Sequence, residues 1–177
     1  MAIITIFHVL SAVIGMGAAL ASDFLFTFYS RDKKLDAKEK ETLSLLAKLV
    51  TAGLIGLIVT GSVLFFSDIA YYGESSKFLI KMTMVLVLTL NGFFLHWVVQ
   101  PHFKDRGLLT FKSAAPARRL AFVSGAISVT SWVGALSMGV LGSIPITYMK
   151  ALGIYALILA FAMLVSLLVE RAEFSSQ

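Results

Sequence analysis

FHVLSAVIGMGAALASDF, residues 7–24, is apolar enough to cross a bilayer, yet it carries His8 near one end and Asp23 near the other. A membrane-crossing helix needs about 20 predominantly apolar residues, and this stretch sits inside a longer run covering residues 2–29. Four further runs of the same kind are read at 43–66, 78–99, 120–141 and 146–169. The composition agrees, with 58% hydrophobic and 14% charged residues and a mean hydropathy of +0.89, outside the range of ordinary soluble domains. The expected fold class is all-α, a polytopic membrane bundle of five transmembrane helices. In hydrocarbon each segment must satisfy its own backbone polar groups, and a helix does so. The connections are too short for a soluble domain, so residues 1–177 read as a single transmembrane domain in contact with the lipid bilayer.

The start, MAIITIFHVL, lacks a basic leader region, and its apolar run continues to Tyr29 without a small-residue cleavage site, so the first span is expected to be retained. The chain has no cysteine, which excludes disulfides, thiolate metal sites and thiol nucleophiles. Its basic balance does not point to nucleic acid, because the cations gather in the connections between spans. Five lie in RDKKLDAKEKE (residues 31–41) and five in PHFKDRGLLTFKSAAPARR (residues 101–119), with Lys48 and Arg171 at the same end. The opposite end holds only Lys77, Lys81 and Lys150. This asymmetry puts the crowded end in the cytoplasm, with the N-terminus outside and the C-terminus inside, in a cell inner (plasma) membrane. Local signals mark the ends of spans. Asp36 and Glu39 fit a capping pair, Ser75 or Ser76 can cap the third span, Pro116 suits the first turn of the fourth, and Gly142 and Pro145 bracket a tight turn.

The first and third spans run parallel, so the depths of their polar residues can be compared. His8 and Lys81 lie a few residues inside one end, Asp23 and His96 a similar distance inside the other, and the two pairs have the same separation in sequence. Fifteen residues of helix rise about 22 Å, so His8/Lys81 and Asp23/His96 form an outer and an inner level near opposite faces of the bilayer. Ionisable groups in spans are costly and face the bundle interior, where they find partners or line a pathway. At the outer level, His8 with Lys81 reads either as a metal or haem-iron site or as a carbonyl-bonded histidine beside a snorkelling lysine. At the inner level, Asp23 and His96 read as a proton-relay pair, as support for a cofactor, or as a structural hydrogen bond with Lys48 nearby. His8 and His96 are too far apart to share one haem, and His102 reads as an exposed loop residue. No histidine pattern of the strong metal-binding kind is present.

Gly15 and Ala19 in the first span, and Ala52, Gly56 and Thr60 in the second, recur at i,i+4 and predict close backbone approach. The fourth span carries a stripe of Ser124, Ser128, Ser131 and Trp132 suited to hydrogen bonds across the bundle. Tyr71, Tyr72, Trp97, Phe103 and Tyr148 fit interfacial aromatic belts.

His8 in FHVLSAVIGMG, with Lys81, Asn91 and Pro101 in KMTMVLVLTLNGFFLHWVVQP, resembles the membrane core of CopD-like copper-resistance proteins and of HemJ-type protoporphyrinogen oxidases. The resemblance covers the first three spans. The HemJ-type likeness implies haem b and porphyrinogen oxidation, with His8 and Lys81 at the positions of an important histidine and lysine. The leading expectation is a haem b or related redox cofactor near the outer face, with His8 as axial ligand and Lys81 as second ligand or propionate partner. Asp23 and His96 would then serve proton movement, in transmembrane electron or proton transfer. The competing expectations are a metal-ion or small-solute transporter and a structural subunit of a membrane complex. A homo-oligomer or a redox partner in the membrane is the kind of partner expected.

Overall fold

A computed structural model describes residues 2–29, 35–101, 115–141 and 145–174. Its regular elements are α1 (Ala2–Tyr29), α2 (Ala37–Ser67), a short α3 (Ile69–Glu74), α4 (Ser76–Phe94), α5 (Ala115–Val140) and α6 (Tyr148–Phe174). A π-helical turn, Leu95–Val99, prolongs α4. Five of these helices, α1, α2, α4 with its π turn, α5 and α6, are long and apolar enough to cross a membrane, which makes the chain a multi-pass membrane protein.

The ends form where the local chemistry directs them. Asp36 accepts from the Glu39 N–H at 2.7 Å, while the Glu39 carboxylate accepts from the Asp36 N–H at 2.8 Å, a reciprocal capping box that starts α2 six residues before its expected apolar run. Ser75, not Ser76, caps α4 by accepting from the Phe78 N–H. Pro116 lies in the first turn of α5, where its missing N–H costs nothing. The short α3, capped by Asp68, was not expected from the apolar runs and carries Tyr71 and Tyr72. Phe103, His102 and Gly142 lie outside the described residues.

Burial is inverted relative to a soluble protein. Large apolar side chains such as Phe24, Leu157 and Phe161 point outward, whereas Ser124, Ser131 and Glu170 are almost completely enclosed. Apolar burial gives little drive for helices to associate in lipid, so the contacts rest on close packing and interhelical hydrogen bonds. Both are present. A Cβ on Gly53 would lie 2.6 Å from the Gly15 Cα, and one on Gly15 would overlap the indole of Trp132, so α1 is pressed between α2 and α5 at this level. The stripe on α2 runs Gly53, Gly56, Thr60; the expected Ala52 is exposed. A helix of 3.6 residues per turn keeps one face over two turns by alternating steps of three and four.

α5 is the central helix. It packs on α1, α4 and α6, while α2 leans chiefly on α1. One core cluster joins Ala19, Leu57, Val85, Leu88 and Trp132, and a second joins Ile80, Met84 and Tyr155. Hydrogen bonds tie the same helices together. The Asn91 amide donates to Ser124 O at 2.9 Å and accepts from Ser124 Oγ at 2.7 Å, and Ser131 Oγ lies 2.7 Å from Tyr155 Oη. At the end where α5 begins, Arg118 Nε donates to Glu170 Oε1 at 2.6 Å, Arg119 lies 3.5 Å from Oε2, and the Arg118 guanidinium covers the Phe174 ring. α1 and α6 both rest on α5 but are not packed together to a comparable extent, which leaves a lateral groove.

Candidate functional site

Two polar side chains of α1 define the outer and inner levels, and they are held differently. Thr60 Oγ1 lies 2.6 Å from Gly56 O, the back-bond by which a helical threonine satisfies its hydroxyl proton. With that proton used, the 2.9 Å contact between His8 Nδ1 and Thr60 Oγ1 requires Nδ1–H to donate. The neutral imidazole therefore keeps its lone pair on Nε2. Gly61 makes this position possible, since a Cβ there would sit 3.3 Å from His8 Cε1. Lys81 is half-buried on α4. No hydrogen bond joins it to His8.

The inner level departs from the expected pair. Asp23 turns toward α5, where Gly125 receives it: a Cβ on Gly125 would fall 2.8 Å from Asp23 Oδ1. Among the described residues the carboxylate has no hydrogen-bond or ion-pair partner. His96 is exposed and stacks edge-on with Trp97. It is the second residue of the π turn, in which the Gln100 N–H reaches back to Leu95 O. A wider turn advances each residue through a smaller angle than an α-helix, so spacing around the axis departs from regular α geometry from here on. Lys48 is exposed as well. Asp23 and His96 are therefore not brought together as a hydrogen-bonded pair.

Asp23 lines a cavity of about 350 Å³ in the groove between α1 and α6, with Gly125 and Ala126 of α5 on its floor. Phe26, Phe122 and Phe161 supply aromatic surface, and the Phe26 and Phe122 rings meet edge-to-face at 5.8 Å. The hydroxyl of Ser166 also lines it, buried and without a hydrogen-bond partner among the described residues. A second cavity of about 570 Å³ lies between α4, α5 and α6 and is almost wholly apolar, with Ser76 and Lys77 at its margin and the Lys77 ammonium donating to Leu141 O.

A haem iron would find in His8 Nε2 a suitable axial nitrogen, oriented by the bond on Nδ1. Neither cavity is lined by His8 or Lys81, and beneath His8 the contacts of Ser11 with Gly56 and of Gly15 with Gly53 close the α1–α2 interface. Among the described residues no three His, Asp or Glu side chains gather as a metal-ligand set.

Sequence reasoning missed Glu170 as the partner of Arg118. Its signal was present, because Glu170 is an acid within the last helix, and an ionisable residue there calls for a partner. Ser166 carried no such signal, since serine is common in membrane helices. Comparison of the chain with family models, with curated proteins and with solved structures finds no match.

Proposed function

We propose that the protein is a cation-handling membrane protein of the transport class, with Asp23 as the group that takes up a proton or cation. The observation that carries this reading is the Asp23 carboxylate, set against Gly125 in a groove with no partner among the described residues. A charge in a span is expensive, and one that ties no helix to another marks a pathway or a ligand site more readily than a structural joint. The charge asymmetry supports a placement in the cell inner (plasma) membrane with the N-terminus outside and the C-terminus cytoplasmic, which sets Asp23 toward the cytoplasm. The test is reconstitution into liposomes with an imposed proton gradient read by a pH-sensitive dye. Wild-type protein dissipates the gradient faster than protein-free liposomes, and Asp23→Asn returns the rate to that baseline. Equal rates in wild type and variant, or a wild type no faster than empty liposomes, contradict the reading.

A second reading, haem b or another metal held by His8 in electron transfer with a membrane redox partner, is favoured by the lone pair left on Nε2. It predicts a Soret band that shifts on dithionite reduction and disappears in His8→Ala. A featureless spectrum from haem-replete membranes removes it.

A further inference from the structure

We infer that the groove between α1 and α6 binds a lipophilic amine in its ammonium form, entering sideways from the bilayer, with Asp23 as its counter-ion. This deepens the reading of Asp23 given above and rests on it.

Four features of the groove converge on that ligand. The first is the carboxylate, which has no hydrogen-bond or ion-pair partner among the described residues; of the nearest described cations, Arg118 and Arg119 are both engaged with Glu170. The second is Ser166 Oγ of α6, a buried oxygen that lines the same cavity and has no hydrogen-bond partner among the described residues. An ammonium has three donors and no acceptor, so its chemistry matches both a carboxylate and an unpartnered hydroxyl oxygen. The third is aromatic lining. Phe26, Phe122 and Phe161 line the cavity and offer an apolar body a place to lie, with aromatic rings of the kind that attract a cation. The fourth is size and access. About 350 Å³ suits a small organic molecule, while a hard metal ion, which takes roughly six or more oxygen ligands, would find far fewer here. Phe161 is 68% exposed, and Val165 and Val169 beside it are about 40% exposed, so the rim of the groove faces the hydrocarbon.

Binding is written simply. The ammonium forms an ion pair with the Asp23 carboxylate; if that carboxyl is protonated beforehand, its proton leaves to water as the ion pair forms, and charge is conserved. Two sources share this chemistry, a free hydrophobic amine and the ethanolamine headgroup of a phospholipid.

The experiment uses the full chain in nanodiscs of phosphatidylglycerol alone and measures binding of 2-phenylethylammonium by calorimetry, with neutral 2-phenylethanol as the isostere. The expected result is binding of the ammonium, weakened at least about tenfold by Asp23→Asn and roughly two- to tenfold by Ser166→Ala, with the alcohol indifferent to both changes. Competition by added phosphatidylethanolamine assigns the natural ligand to the lipid headgroup, and its absence assigns it to a free amine; either supports the site. Equal affinity in wild type and Asp23→Asn overturns it, as does cross-linking of the groove at Val165 to a helix of another chain with no ammonium bound. If ammonium binding fails while Asp23-dependent proton dissipation persists, only the ligand class is wrong. If both fail, the underlying reading of Asp23 fails with it.

Discussion

Two carboxylates near the same end of the bundle, Glu170 and Asp23, are treated in opposite ways. Glu170 is enclosed and accepts from Arg118 at 2.6 Å with Arg119 close by, so its charge fastens α6 to the start of α5. Asp23 lies across the groove from α6, against a glycine, and among the described residues its carboxylate fastens nothing. A charge used for architecture is surrounded by its partners in the resting protein. A charge kept for a ligand has a cavity and an open side in place of partners. The contrast therefore separates residues whose loss should unfold the bundle from residues whose loss should leave a stable, inactive one.

The largest effect is expected at Glu170. Glu170→Ala leaves the Arg118 guanidinium buried without its anion and costs about 3–5 kcal/mol, read as a lowered unfolding midpoint in a fixed detergent. A change of less than about 1 kcal/mol would show the pair to be solvated and would blunt the contrast. Next comes Gly53→Ala, whose methyl group meets the backbone of α1 at Gly15 and Ser11; overpacking of this kind costs typically 1–3 kcal/mol, measured the same way. Thr60→Val removes the acceptor of His8 Nδ1–H while keeping the volume, and costs about 1 kcal/mol. Asp23→Asn is the smallest, within about 0.5 kcal/mol of wild type or slightly stabilising, because no bond to another side chain is lost. Should Asp23→Asn destabilise as much as Glu170→Ala, Asp23 would be structural and the comparison would collapse.

The five spans were legible in the sequence because length and hydropathy alone decide them, and residue chemistry marked the cap at Asp36, narrowed the next to Ser75 or Ser76, and put Pro116 in a first helical turn. Depth along a span was legible too, since helix rise is constant, and it sets the expectation that His8 and Lys81 lie at one level. Direction around the helix axis was not. In a soluble helix the apolar stripe reveals which face looks inward, but lipid-facing and protein-facing surfaces are both apolar here, so the letters do not say which neighbour a side chain meets. A regular helical angle suggests that Asp23 and His96 could meet, whereas Asp23 faces Gly125 of α5 and His96, in the π turn at Leu95–Val99, is exposed. The choice of Gly53 over Ala52 was hidden for a related reason, because an i,i+4 pattern follows a contact face for only about two turns before it drifts.

The central claim, that Asp23 is a carboxylate reachable by protons and cations, is tested most directly by infrared difference spectroscopy of the protein in nanodiscs while the bulk pH is stepped. The account predicts a protonated-carboxyl band that appears and vanishes reversibly with pH and is missing from Asp23→Asn. A spectrum in which wild type and Asp23→Asn are indistinguishable would contradict it, placing Asp23 out of reach of the solution and of any cation that comes from it.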